Sequence, residues 1–295
     1  MFDPPQSAML ADGKRLHLSH GPIDLIIESF GAPEDVERSY WKAEARFSEI
    51  LTKLVAELSN LRKELLEPRW HPLGDVASRM VEACWPHRKN FVTPMAAVAG
   101  AVADYLLFSI VEDSRLTKAY VNNGGDIAFF LTEGESLTTG IVGSLDLPSV
   151  NAVCDLRFEL PVRGIATSGW RGRSHSLGIA DSVTVLAKDA ASADVAATLI
   201  ANSVNIEHPG IRREPADYLH PDSDLGSRLV TASVPNLDEE SVIEALRKGQ
   251  RVADGMRKSG LLVGAALTLQ GRILTVGDFF CGDHASKMIV DIRHA

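Results

Sequence analysis

The alternation of apolar and polar positions sorts the chain into strands and helices before any other property is consulted. From residues 17 to 28 it reads as a strand, a Gly21-Pro22 turn and the apolar run Ile23-Asp24-Leu25-Ile26-Ile27. Gly31 and Pro33 then punctuate the chain, and a long helix is predicted over 34–66, ended by Pro68. Within it Ile50, Leu51, Leu54, Val55, Leu58, Leu61 and Leu65 keep the three-and-four spacing of one buried stripe. A second helix over 96–111 is rich in alanine and apolar almost all round, which predicts burial on most sides. Strand pieces are expected at Tyr120-Val121, 127–131, 157–160 and 182–187, and helices at 191–203 and 241–257. Residues 261–269 and 272–276 form a predicted hairpin around Gln270-Gly271. The stretch 207–223, with Pro209, Pro215 and Pro221, reads as a loop or insertion. Strands and helices interleave without a regular βαβ rhythm, so the expected class is α+β, not a doubly wound sheet.

Composition narrows the picture. The 295 residues carry 39 acidic and 30 basic side chains, a formal net charge of −9, with 45% hydrophobic and 23% charged residues. These are the proportions of a globular protein with a substantial core. An acidic balance with few aromatics speaks against a nucleic-acid partner bound through its phosphates. No basic, apolar leader pattern follows Met1, and the apolar run over 95–111 contains Asp104 and falls short of the roughly 20 residues of a spanning helix. No membrane partner and a cytoplasmic location are therefore expected. Cys84, Cys154 and Cys281 show no spacing of a zinc ribbon or disulfide framework, and His208, His220 and His284 share no metal-binding spacing.

Four segments carry candidate chemistry. In Asn122-Asn123-Gly124-Gly125-Asp126, two glycines allow positive φ or close approach of a ligand, flanked by short polar groups; the same residues also suit a plain hairpin turn. The stretch Gly164-Ile165-Ala166-Thr167-Ser168-Gly169-Trp170-Arg171-Gly172-Arg173-Ser174-His175 leaves backbone N–H groups free beside guanidinium groups, a combination suited to a diphosphate, though it lacks the Walker A spacing. It reads equally as a surface loop. In Ala193-Asp194-Val195-Ala196-Ala197-Thr198, a carboxylate and a hydroxyl lie one helical turn apart, a hard-oxygen half-site for Mg²⁺. The alternative is that Asp194 caps its helix and Thr198 bonds a backbone carbonyl. Finally, Gly100 inside the alanine-rich helix implies close packing or a ligand, and Asp104 needs a partner if it is buried.

Taken in order, these segments resemble the ApbE-like family of Mg²⁺-dependent FAD:protein FMN transferases. The counterparts of its motifs are Val98 to Asp104, Asn122 to Asp126, Ala166-Thr167-Ser168-Gly169 with His175, and Ala193 to Thr198. The resemblance implies a fold of antiparallel sheets backed by helices, duplicated into two halves around a central cleft. It implies one ApbE-like unit over 1–295, made of N-terminal strands and a long helix (1–92), a motif-bearing core (93–205) and a C-terminal helix and hairpin (206–295). It further implies Mg²⁺ held by Asp194, Thr198 and the backbone carbonyl of Ala96. His175 and Asp194 take the catalytic roles. Asn122, Gly124, Gly125, Asp126, Thr167, Ser168, Gly169 and Arg171 line the site for FAD. The implied partners are a small-molecule nucleotide and an acceptor flavoprotein. Ala99 and Ala101 stand where the family pattern has lysine and tyrosine, and the run after His175 enters the next strand directly. Two readings stay open on these residues: an FMN transferase-like or FAD-diphosphate-cleaving enzyme, and a catalytically silent flavin- or nucleotide-binding protein.

Overall fold

A computed structural model describes residues 3–142, 150–172 and 174–277. Arg173, Cys281 and His284 lie outside the described residues. In chain order the elements are β1 (Gln6–Met9), β2 (Leu16–His20), β3 (Ile23–Phe30), α1 (Pro33–Leu61), α2 (Asp75–Cys84), α3 (Val98–Val111), β4 (Lys118–Asn123), β5 (Asp126–Leu131), β6 (Ser136–Val142) and β7 (Val150–Arg157). They continue as β8 (Gly164–Ser168), β9 (Ser182–Ala187), α4 (Ala190–Ser203), β10 (Arg212–Pro215), α5 (Ala216–Leu219), β11 (Leu229–Ser233), α6 (Glu239–Lys258), β12 (Gly264–Leu269) and β13 (Arg272–Val276).

The chain divides into two compact units, one of Met1–Ser136, Arg157–Ala166 and Ala187–Val195, the other of Leu137–Leu156, Thr167–Leu186 and Ala196–Ala295. In the first, β1 to β5 and the start of β8 form an antiparallel sheet in the order β1-β2-β3-β4-β5-β8. Helix α1 packs on β2 and β3, α3 on β4 and β5, and α2 on both helices. In the second unit β9, β12 and β13 pair antiparallel, with α6 laid across β12 and β13. Each unit is thus antiparallel sheet backed by helices, the mixed architecture expected.

Local sequence explains most boundaries. Pro33 opens α1, with Glu34 and Asp35 in its first turn, where a carboxylate meets the positive end of the helix dipole. Its buried stripe runs Ala43, Phe47, Ile50, Leu51, Leu54 and Leu61; Val55, expected in the stripe, is exposed. The helix also stops at Leu61, earlier than predicted, because Leu65 leaves it to donate its N–H to the Val92 carbonyl and enter the core. Helix α6 begins at Asp238, whose carboxylate accepts the Ser241 N–H at 2.8 Å. All six residues of β9 and of β12 are buried, the polar Ser182, Thr184 and Thr268 among them, so both strands are covered on both faces.

Two other expectations change. The strand foreseen over 157–160 is instead the end of β7 followed by a turn, closed by the Leu160 N–H on the Arg157 carbonyl. The proline-rich stretch 207–223 is not a plain loop: it supplies β10 and α5, with β10 paired antiparallel to β11. The expectation that the apolar run over 95–111 is too short to span a membrane is corrected: Pro94–Val111 is long and apolar enough by length and composition, and half of it is buried inside the protein.

Candidate functional site

Helices α3 and α4 exchange carboxylates. Helix α3 has no capping side chain of its own at Ala97; the Gly100 N–H donates to Asp194 Oδ2 at 3.0 Å, and the Ala99 N–H also hydrogen-bonds that carboxylate. In return Asp104 of α3 accepts the Ala190 and Ala191 N–H groups at 2.9 and 2.8 Å. The next amide, Ser192, is taken by Asp189 at 2.7 Å. Asp104 is thereby the partnered buried acid that the sequence demanded. Asp194 does not cap its own helix, because it lies a full turn inside α4; it serves the start of α3 instead.

The helices meet at Gly100. A Cβ there would lie 2.3 Å from the Ala190 carbonyl oxygen and 2.4 Å from its carbon, so only glycine fits. The β4–β5 hairpin closes against the same place. Gly124 and Gly125 carry φ of 64° and 112° in its turn, and Asn122 Oδ1 accepts the Gly125 N–H at 2.8 Å. Asn123 Nδ2 donates to the Ala99 carbonyl at 3.1 Å, tying the turn to α3. Asp126, the last residue of the motif, is near enough for its charge to act on Asp194.

Electrostatics single out the two exchanged acids. Burial, first, and then the Asp126 charge push the Asp194 carboxyl well above the usual range, against the pull of the Gly100 and Ala99 amides. Burial raises Asp104 to about 6, again opposed by its two amide donors. Asp194 and Thr198 follow one another by a turn on α4, and both keep partial exposure. Ala96 lies in the single 3-10 turn that leads into α3, its N–H on the Thr93 carbonyl.

The other sequence candidates occupy the connection between β8 and β9, within the second unit. Thr167 shares a hydrogen bond with Thr184 at 2.9 Å, and Ser168 ends the strand. Gly169 passes so close to Asp181 that a Cβ would sit 2.2 Å from its carbonyl oxygen. Trp170 Nε1 donates to Asp181 Oδ1 at 3.3 Å, while the Arg171 guanidinium lies 4.8 Å above the Trp170 ring and 3.9 Å from the same carboxylate. His175 follows, half-buried, its ring 6.1 Å from that of exposed His220.

Sequence reasoning missed the groups that hold this loop. Asn202 Oδ1 accepts from Ser176 Oγ at 3.0 Å and from the Leu177 N–H at 2.8 Å. Arg213 donates to the Leu177 carbonyl at 2.7 Å, to Asn205 Oδ1 at 2.6 Å and to Thr231 Oγ1 at 3.1 Å. The visible hint was the pair Asn202 and Asn205 at the end of a predicted alanine-rich helix, where short amides find loose backbone groups.

Comparison with known proteins places the chain in a family. A family described as AbpE bacteria matches residues 7–275. The chain belongs to that family. It is a member of the ApbE-like superfamily, as the motif resemblance implies. A UPF0280 protein of Methanothermobacter thermautotrophicus is 39% identical over 142 residues, covering 48% of this chain and 53% of that protein. Another, from Methanothrix thermoacetophila, is 40% identical over 134 residues, covering 45% and 55%. The chain thus spans about half the length of these curated relatives. Among solved structures, a mutant of the flavin transferase ApbE from Vibrio cholerae aligns over 97% of this chain and 100% of its own, at 11% identity and a TM-score of 0.48. The apo flavinyl transferase ApbE of Pseudomonas stutzeri covers 98% and 96%, at 12% identity and a TM-score of 0.41.

In this AbpE family member, no group of three or more His, Cys, Asp or Glu side chains stands ready for a metal among the described residues. The donors around Asp194 are hard oxygens, however, and two neighbouring carboxylates raise the energy of the Asp194 charge. A small divalent cation that binds few protein oxygens, completing its shell with water and phosphate, fits such a place. A carboxylate has about four acceptor positions, so the amide bonds to Asp194 leave room for an ion.

Proposed function

We propose that this protein handles a flavin nucleotide, with FAD as substrate and Mg²⁺ as cofactor, either transferring FMN to a protein hydroxyl or cleaving the FAD diphosphate. The observation that carries the reading is the Asp194 carboxyl, held part-exposed at the amide end of α3 and crowded by Asp126, one turn from the Thr198 hydroxyl. In this reading Asp194, Thr198 and the Ala96 carbonyl hold the ion. Bound there, Mg²⁺ supplies positive charge to a diphosphate and so favours the charge that builds up as a P–O bond breaks.

The remaining work falls to side chains. In this reading Asn122 and Asp126, with the Gly124-Gly125 backbone, contact the nucleotide. The Thr167-Ser168-Gly169 backbone and the Arg171 guanidinium offer donors to phosphate oxygens. Arg171 is suited to this because Trp170 and Asp181 hold its planar group in place, so less freedom is lost on binding. An acceptor hydroxyl or water oxygen attacks, its proton passing to solvent, while His175 and Arg171 stabilise or protonate the leaving phosphate. The new bond forms from that oxygen to the FMN phosphorus, the P–O bond to the AMP phosphate breaks, and AMP leaves. The acceptor in the transfer version is a flavoprotein hydroxyl.

A second reading has its own support: Ala99 stands where the family pattern has lysine, which removes a charged donor from the nucleotide. The protein would then bind flavin without turning it over. Incubation of the purified chain with FAD and Mg²⁺, followed by chromatography for AMP, separates the two. AMP release that Asp194→Ala abolishes supports the enzyme; retained flavin without AMP supports the binding protein; no flavin bound and no AMP defeats both.

A further inference from the structure

His175 Nε2 is buried and has no hydrogen-bond partner among the described residues. A buried ring nitrogen left without a partner is costly, and a proton partner or a bound ion would offset that cost. The ring next to it is another imidazole. His220 stands at the end of α5, exposed, edge-on to His175 with an interplanar angle of 61°. Both backbones are pinned. The His220 N–H donates to the Ala216 carbonyl at 2.8 Å and its carbonyl accepts the Ser223 N–H at 2.9 Å, while Asn202 fixes Ser176 and Leu177 directly after His175.

We propose that His175 and His220 form a two-imidazole site for a borderline divalent ion of the Zn²⁺ type. Zinc binds imidazole nitrogen at about 2.0–2.1 Å, which puts the metal about 3.2 Å from each ring centre, so two ligating rings are at most about 6.4 Å apart. The observed 6.1 Å lies within that limit, and the exposed His220 ring is free to swing toward the more bent angle zinc prefers. Imidazole selects Zn²⁺, Ni²⁺ or Cu²⁺ over Mg²⁺, which keeps to oxygen. The site is therefore chemically distinct from the oxygen donors around Asp194. Two protein ligands leave positions open for water or an anionic ligand. Its existence does not depend on the flavin reading. If that reading holds as well, zinc occupies the lone pair His175 needs for proton transfer and acts as an antagonist.

The test is calorimetric titration of the full chain with ZnCl₂ in excess MgCl₂. One saturable site is expected, weakened about tenfold or more, about 1.4 kcal/mol, by either His175→Ala or His220→Ala and unchanged by His208→Ala. X-ray absorption of the zinc-loaded protein is expected to show two imidazole nitrogens at about 2.0 Å. That measurement decides the matter should His175→Ala fail to fold, and His220→Ala, on an exposed side chain, keeps the fold. Absence of saturable binding, or loss in only one of the two variants, overturns the proposal. AMP release is measured separately, so failure here and failure of the flavin reading are distinguishable.

Discussion

Replacing Gly100 by alanine sets two effects of opposite sign against each other. Helix propensity alone favours the change by about 1 kcal/mol. Packing opposes it: the new methyl would lie 2.3 Å from the Ala190 oxygen, 2.4 Å from its carbon and 2.7 Å from the Ala191 nitrogen. Ordinary contacts begin near 3.5 Å, so the helices must part by about 1 Å, and because every atom met is backbone no rotamer change relieves the clash. Overpacking of this kind costs about 1–3 kcal/mol. The same displacement lengthens the 3.0 Å bond from Gly100 to Asp194 and the 2.9 and 2.8 Å bonds from Ala190 and Ala191 to Asp104. Bonds to charged groups carry about 1.5–3 kcal/mol each, though such losses do not add. The net expectation is a destabilisation of about 2–4 kcal/mol. Gly255 is the internal control. It lies in α6 with nothing within 4 Å of a Cβ, so Gly255→Ala is expected to stabilise by about 0.5–1 kcal/mol. Urea unfolding of both variants, followed by circular dichroism, reads the two signs. A Gly100→Ala midpoint equal to or above wild type would refute the close-contact argument.

Asp104 gives a pH signature. Its native carboxyl is raised from the ordinary carboxylate range to about 6, so the folded state holds this proton more tightly than the unfolded chain, and its contribution to stability falls as pH rises from about 4 to 6. The loss reaches at most about 3 kcal/mol. Asp104→Asn, which cannot titrate, is expected to trail wild type most at pH 4 and to close part of that gap by pH 7; a constant gap across denaturation curves at these pH values contradicts the assignment. Asp194→Asn keeps an acceptor for the Gly100 amide and relieves the repulsion from Asp126, so stability is expected to change by less than about 1 kcal/mol. Mg²⁺ dependence of flavin binding or AMP release should weaken at least about tenfold in the same variant, read by Mg²⁺ titration. Arg213→Ala strips donors from Leu177, Asn205 and Thr231 and is expected to cost about 1–3 kcal/mol, with faster proteolysis near Ser176; unchanged unfolding and cleavage would mean the guanidinium is dispensable.

The elements that could be read from sequence are those with enough repeats or a decisive turn. The β4–β5 and β12–β13 hairpins announce themselves through Gly124-Gly125 and Gln270-Gly271, and the buried face of α1 through its regular apolar spacing. Strands of four residues such as Gln6–Met9 and Arg212–Pro215 are too short for a period of two to show, and Pro215 disguises the latter as a loop. Helix α2 went unforeseen because Asp75–Cys84 offers barely two apolar repeats. The motif residues were legible because they are local. The service Asp194 performs for α3 was not, since its partners are Ala99 and Gly100 in a distant segment, and no spacing brings His175 to His220. Long-range pairing is where the linear code is silent.

The traded carboxylates of α3 and α4 have a kinetic consequence. Neither helix can satisfy its opening turn until stretches around residues 100 and 190 have met, so both are finished by one long-range docking event after a large loop has closed. The amides of Gly100, Ala190 and Ala191 are then expected to exchange with solvent in concert, as one cooperative opening and not as two fraying ends. A region that carries the proposed metal ligand Asp194 therefore gains its rigidity late in folding and loses it all at once.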